Sequence, residues 1–262
     1  MGMHLAVCTT AYDTGHESVA LQVQRKIEGL RSIFPEGQWS FYVASESPEF
    51  TAAVEQGVAD AGSAETHIVL FTRRHRGDTK GLGLRHALRA AMTGAGRMQA
   101  DALAYINLNL KVDARYLADA LAPIARGDAD VVVGTRATSE GGEATGQGTL
   151  GLAKSRAWSA LARTMVPSLA GFADPNAPLK VMTRAACQVV LEGARVDGVG
   201  LDAEWLCLWQ ATGQRMIKVP IVWTQRPGSS PPWHLIPEML LSLAYTRWRC
   251  RSLPGARSSA RA

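Results

Sequence analysis

The side chains able to do chemistry in this chain are mostly cations placed beside glycines or at the ends of apolar runs. Lys80 and Arg85 flank Gly81 and Gly83 in a stretch that runs into a helix, and a helix N-terminus offers unpaired N–H groups to an anion. Arg136 follows the apolar run Val131–Gly134, where a guanidinium fork can grip a phosphate from the end of a strand. Arg156 and Arg163 fall on a later helical stretch as further phosphate candidates. Asp202 and Glu204 stand two apart. On a strand they would share a face, at a helix start they diverge, and Asp202 also fits the N-cap of a helix from Ala203. An acceptor that is already a phosphate needs no general base, because its oxygen is ionised at neutral pH. His75 and His86 have no evident partner and read as structural.

The elements that must hold these residues alternate. His4–Thr10, Trp39–Ala44, His67–Phe71, Ala102–Leu108 and Ala129–Gly134 are short apolar runs suited to buried strands. Between them, Ser18–Ile33, Glu49–Ala61, Leu84–Met92 and Ala114–Ala125 carry apolar residues at helical spacing. Gly77–Gly94 reads as a glycine-led loop entering the third helix. Strand and helix in alternation predict an α/β fold with a mainly parallel sheet and helices on both faces. Ligands then bind at the carboxyl ends of the strands, after Thr10, Val43, Phe71, Asn107 and Gly134. Beyond these, Ser139–Gly151 reads as a mobile loop, Leu152–Leu169 and Ala203–Thr212 as helices, and Met216–Trp223 as a strand. Pro227–Pro232 breaks the chain before a last amphipathic helix, Leu235–Trp248. The organisation expected is one domain over residues 1–232, a C-terminal amphipathic helix over 233–250 and a basic, disordered tail over 251–262.

With 262 residues, 47% of them hydrophobic, the chain can close one large core, and a net charge of +5 favours anionic ligands. Nucleic acid is disfavoured, because no aromatic–basic reading surface accompanies the arginines. Cys8, Cys187, Cys207 and Cys250 are scattered, form no CxxC pair and indicate neither a zinc site nor a disulfide framework. The N-terminal residues lack a signal-peptide pattern, so a cytoplasmic protein is expected, one able to touch the inner face of a membrane through its last helix.

Several short segments, in order from about Leu5 to Ser230, resemble the family-two glycosyltransferases of GT-A fold, and among these the dolichol- or polyprenol-phosphate mannosyltransferase type. Thr10-Ala11-Tyr12-Asp13 stands where the family has P-A-Y-N. Val43-Ala44-Ser45-Glu46-Ser47-Pro48-Glu49 stands at its V-D-D-G-S-x-D. His75-Arg76-Gly77 with Lys80 to Arg85 resembles N-x-G-K-G-x-A-x-R, and Val131 to Arg136 resembles V-V-x-G-S-R. Asp174-Pro175 through Lys180 and Arg184 is similar to D-x-x-x-G-x-K-x-x-x-R, Leu201 to Leu206 to f-D-x-E-l-L, and Lys218 to Trp223 to E-V-P-V-x-W. The resemblance implies an inverting transfer of a sugar from a nucleotide-sugar donor to a polyprenyl phosphate or small-metabolite acceptor. It implies donor contacts by Thr10, Ala11, Tyr12, Ser45, Lys80, Arg85, Asn107, Asn109 and Arg136. It places Asp174, Lys180 and Arg156 on the acceptor side, and it assigns Asp202 or Glu204 to face the acceptor or act as base.

The departures bear on the chemistry. In the family a D-x-D holds magnesium or manganese against the diphosphate. This chain has Asn107-Leu108-Asn109, with Lys111 two residues on. Amides bring no negative charge, so a hard divalent cation should bind poorly, and no metal ligands are assigned. Lys111 either takes over part of the cation's work or is a solvated loop lysine. Asp113 is an alternative carboxylate but suits a helix cap. Ala44 and Ser45 replace two aspartates at the base and ribose. The readings left standing are a metal-independent glycosyltransferase and a non-catalytic binding protein on the same fold.

Overall fold

The computed structural model of the chain describes residues 3–11, 17–63, 65–72, 80–94, 99–146, 148–198, 200–224 and 235–253. The first half winds β1 (Leu5–Thr10), α1 (Val19–Ile33), β2 (Trp39–Ser45), α2 (Pro48–Ala61), β3 (Thr66–Leu70), α3 (Lys80–Thr93), β4 (Ala102–Ile106), α4 (Tyr116–Ala125) and β5 (Val131–Thr135). The second half adds β6 (Glu143–Thr145), α5 (Thr149–Met165), β7 (Leu179–Thr183), α6 (Arg184–Gly193), α7 (Leu201–Ala211), β8 (Met216–Pro220), β9 (Val222–Thr224) and α8 (Ile236–Ser252), with short 3-10 turns at Thr138–Glu140 and Pro167–Gly171.

Among the described residues the main sheet runs β3-β2-β1-β4-β7-β5-β8. Its pairs are parallel except where β7 enters between β4 and β5, antiparallel to both. Strand residues alternate between two cores. Leu5, Val7, Phe41 and Val43 face α1, α2 and α4. Ala6, Cys8, Tyr42, Leu103, Tyr105, Val133 and Met182 face α3, α6 and α7. Both faces are covered, as the unbroken apolar runs require.

Local chemistry sets the boundaries. Ser18 caps α1 by accepting the Leu21 N–H, and Ser47 caps α2 by accepting that of Phe50, with Pro48 in its first turn. Gly62 closes α2 in the left-handed region at φ 59°. β7 and α6 escaped the sequence reading. Leu179–Thr183 is a strand of only five residues, and its fully buried Lys180 disguises an otherwise apolar run.

Four further expectations are corrected. The segment read as a loop over Ser139–Gly151 contains β6, which pairs in parallel with β9 as a second, two-stranded sheet. The single strand expected over Met216–Trp223 is broken at Ile221, so that β8 stays in the main sheet and β9 leaves it. The helix expected over Leu152–Leu169 ends at Met165 and gives way to a 3-10 turn from Pro167, whose ring lacks the N–H that a continuing helix would need. Cys207 of α7 and Cys250 of α8, for which no disulfide was expected, are joined, their Cα atoms 6.2 Å apart. α8 packs on α7 and on α5. No described helix is long and apolar enough to cross a membrane.

Candidate active site

The carboxyl ends of β4 and β5 and the strap formed by β9 converge on two aromatic rings. Tyr105, next to last in β4, lies on the face covered by α7, where its ring meets Trp205 edge-on at 6.2 Å. Lys80 Nζ lies 5.1 Å and Lys180 Nζ 5.4 Å from the Tyr105 centroid. Trp223 of β9 is brought against the segment after β4 by its bridge to Val112 and by the N–H of Thr224, which donates to the Lys111 carbonyl at 3.0 Å. Lys111 Nζ lies 5.3 Å from the Trp223 centroid and the Arg136 guanidinium carbon 5.1 Å from it. A cation over a π face is attracted by the ring's quadrupole.

Two carboxylates organise two of these cations. Arg136 Nε and Nη2 each donate to Asp174 at 2.7 Å, and the Arg136 backbone N–H adds a third bond at 3.0 Å. Burial works against the charge of Arg136, yet the bonds to Asp174 outweigh it and hold its pKa above the usual value. Burial likewise opposes the Asp174 carboxylate, but Arg136 keeps it below the ordinary range. Lys180, fully buried, donates to the Ala177 carbonyl at 2.8 Å and pairs with Asp202. Burial lowers its pKa, and Asp202 only partly restores it. Asp202 thus sits in the first turn of α7, turned toward the sheet, and it is not the N-cap, which is Gly200.

Asn107 and Asn109 follow β4. The Tyr105 hydroxyl donates to Asn107 Oδ1 at 2.6 Å, so the one atom of that side chain able to face a cation already accepts a hydrogen bond. Among the described residues no group of three or more His, Cys, Asp and Glu side chains could hold a metal ion. Two neutral amides followed by the Lys111 ammonium do not fit a hard divalent cation.

Other residues singled out from the sequence are placed elsewhere. The N-terminus of α3 begins at Lys80 rather than Leu84 and is closed: the N–H groups of Gly81 and Leu82 donate to the Asp197 carbonyl at 2.6 and 3.0 Å. Arg85 pairs with the Asp197 carboxylate and donates to the Val196 carbonyl at 2.8 Å. The glycines serve packing there. A Cβ on Gly81 would stand 2.7 Å from the Val196 carbonyl oxygen, and one on Gly83 would strike the Phe71 ring at 2.8 Å. Lys80 joins the cluster from the first turn of that helix, and its carbonyl accepts from the Thr10 hydroxyl at 3.3 Å.

Ser45 is buried, and its hydroxyl is engaged by the Ser47 carbonyl at 3.2 Å and by Thr51 at 3.0 Å. Ala11 is buried at the end of β1, with its N–H on the Ala44 carbonyl at 2.8 Å. Tyr12 and His75 lie outside the described residues, and His86 stacks on Phe71 with centroids 5.8 Å apart. Glu204 accepts the backbone N–H groups of Arg195 and Val196 at 2.9 and 2.8 Å. Its carboxylate shapes the loop before α7, and Arg249 Nη1 lies 3.8 Å from it. Arg156 lies exposed on α5, which packs on the Pro167–Gly171 turn and α8, and the structure does not bring it to the cluster. Asp113 accepts the Arg115 N–H at 2.9 Å, a local turn before α4.

Three contributors went unread in the sequence. Trp223 was read as the end of a strand and of the segment that resembles E-V-P-V-x-W, with no role at the site. Glu140 accepts from Thr135 Oγ1 at 2.6 Å and from Lys218 Nζ at 2.5 Å, fixing the end of β5. Lys26, buried in α1, donates to the Val112 carbonyl at 3.3 Å and so steadies the segment after Lys111. Burial lowers its pKa to about 8. A lysine inside an amphipathic repeat is the signal that was available.

No family model matches the sequence, and no curated protein matches it. Solved structures do. Glucosyl-3-phosphoglycerate synthase from Mycobacterium tuberculosis, in complex with phosphoglyceric acid, superposes with a TM-score of 0.67 at 13% identity, over 97% of this chain and 81% of that one. The same enzyme with Mn2+, UDP-glucose and phosphoglyceric acid gives 0.66 at 13% identity over the same shares. A mycobacterial protein gives 0.65 at 16% identity, covering 97% of this chain and 76% of that one. At such identities the likeness speaks for architecture, and the chain has the GT-A fold: an α/β domain built on a mainly parallel sheet with helices on both faces.

Proposed function

We propose that this protein is a glycosyltransferase that moves a sugar from a nucleotide-sugar donor to a phosphate-bearing acceptor without a divalent metal. The observation that carries this reading is the gathering of Lys80, Lys111, Lys180 and Arg136 around Tyr105 and Trp223. It lies at the strand end where two amides stand and a metal does not fit. Preorganised cations in a partly dry cleft stabilise charge developing on a leaving group. In the transfer, an acceptor oxygen forms a bond to the anomeric carbon while the bond from that carbon to the diphosphate breaks. The nucleoside diphosphate leaves with the electron pair, its charge met by Lys111 and Lys80. Arg136 is held by Asp174 as a fixed wall of the same site. Asp202 pairs with Lys180 beneath the site. An ionised phosphate oxygen that attacks needs no base, whereas a hydroxyl that attacks gives up its proton to a base, the role that the family-two resemblance implies for Asp202 or Glu204.

A small phosphate-bearing acceptor is supported by the phosphoglyceric acid and glycerol 3-phosphate in the complexes of the similar synthase. A polyprenyl phosphate, which the family-two resemblance implies, also brings a phosphate but would attack through that phosphate's own ionised oxygen, and the same resemblance implies inversion. The test is turnover by the purified protein with a panel of nucleotide-sugars in the presence of chelator. The panel is run against small phosphorylated acceptors and a short-chain polyprenyl phosphate, and the anomeric configuration of the product is read by NMR. Product formed in chelator supports the reading. Donor bound but never turned over favours the non-catalytic alternative, for which the two amides are the specific observation.

A further inference from the structure

Of the four large apolar side chains that the described residues leave exposed, Leu161, Leu241 and Trp248 lie on α5 and α8, and only Leu70 lies elsewhere. On α8 the outward positions Leu241, Ala244, Trp248 and Arg251 recur every three or four residues, forming one stripe. The opposite stripe, Leu243, Thr246 and Cys250, is buried. The two helices adjoin: Arg247 Nη1 donates to the Met165 carbonyl at the end of α5 at 2.8 Å. Leu161 lies exposed one turn before Met165, close to that junction in the chain.

Charge on these helices has one sign. α5 contains Lys154, Arg156 and Arg163 and no acidic residue. α8 contains Arg247, Arg249 and Arg251, with Glu238 in its first turn as its one acid, and no Asp or Glu follows to the end of the chain, while Arg257 and Arg261 do. Arg247 and Arg249 are turned inward, to the α5 carbonyls and toward Tyr245 and Glu204. Lys154, Arg156 and Arg251 are exposed.

We infer that the joined outer faces of α5 and α8 form a docking surface for an anionic lipid bilayer, lying on it without crossing it. Exposed aliphatic side chains and an indole enter the headgroup–acyl boundary, while sparse cations meet the lipid phosphates. A nucleic acid would ask for the reverse, a dense cationic track with aromatic rings for stacking, and would leave Leu161 and Leu241 without a partner. This surface stands apart from the transfer reaction, and neither depends on the other.

Flotation of the full-length protein with phosphatidylglycerol-containing vesicles and with pure phosphatidylcholine vesicles, at low and high salt, tests it. Co-flotation with the anionic vesicles that weakens in salt is expected. The Leu241→Ala/Trp248→Ala double variant should weaken it by about tenfold or more with an unchanged melting temperature. Arg156→Ala and Arg251→Ala should each weaken it by about fivefold and flatten its salt dependence. The inference is overturned if anionic vesicles are not bound at low salt, or if the double variant binds them as wild type does. Duplex DNA bound in preference to the vesicles at the same salt would overturn it too.

Discussion

The ammonium of Lys111 lies 5.3 Å from the centre of the Trp223 ring, on a strap that leaves the main sheet to reach it. That contact fixes a cation two residues beyond the pair of amides Asn107 and Asn109. Lys111→Ala should lower nucleoside diphosphate affinity by about tenfold or more, the loss of one charge-assisted contact of roughly 1.5–3 kcal/mol. Isothermal titration reads it. An unchanged dissociation constant removes Lys111 from the site.

Trp223 also carries the Arg136 guanidinium, 5.1 Å from its centroid. Trp223→Leu withdraws the ring from two cations at once, each contact worth about 0.5–2 kcal/mol, so donor KM should rise by about tenfold. Trp223→Phe keeps a π face and should recover most of the loss. If the two variants behave alike, the ring serves only as packing.

The Lys180–Asp202 pair is buried on both sides. Removing one partner strands the other's charge, at a cost of about 3–5 kcal/mol. Lys180→Met and Asp202→Leu should each be destabilising to that extent in urea unfolding, and the double variant should be less destabilised than their sum. Strict additivity would show that the two do not act as a pair.

Lys26 gives the pH dependence its sign. Its pKa falls from 10.5 to about 8 on burial, so between those values the unfolded chain binds a proton that the folded chain does not. Stability therefore rises with pH across that window, by on the order of 3 kcal/mol from this group. Lys180, also lowered by burial, acts in the same direction. Denaturant midpoints measured from neutral to alkaline pH should climb, and Lys26→Met should flatten the climb. A fall through the window contradicts it.

The parallel half of the fold was legible because β1 to β5 are largely apolar runs separated by helical repeats, the first two of which begin at serine caps. β7 was not legible, since a buried lysine in a five-residue strand erases its pattern and only its partner Asp202, remote in sequence, explains it. The glycines around Lys80 were legible as a special backbone need but not as to which one. They admit the Val196 carbonyl and the Phe71 ring, whereas a phosphate cradle was expected. Arg136 and Asp174 were each visible alone, and their bidentate pairing was not, because it depends on how the chain returns after α5. Glu204 shows the same limit: its two backbone bonds belong to a loop conformation that spacing cannot encode.

Replacing both amides by carboxylates probes the same chemistry from the other side. Asn107→Asp/Asn109→Asp should create manganese binding and make nucleoside diphosphate affinity sensitive to chelator, because the lost negative charge is then restored. Manganese-dependent quenching of intrinsic fluorescence is the readout, and a variant as indifferent to manganese as wild type would show that the amides are not what excludes the metal.

The most direct measurement is a calorimetric titration of the wild-type protein with a panel of nucleoside diphosphates, with chelator and with added manganese. Binding with the same dissociation constant in both conditions is expected if side-chain cations hold the diphosphate. Binding that appears only with manganese, or none in either condition, would contradict it.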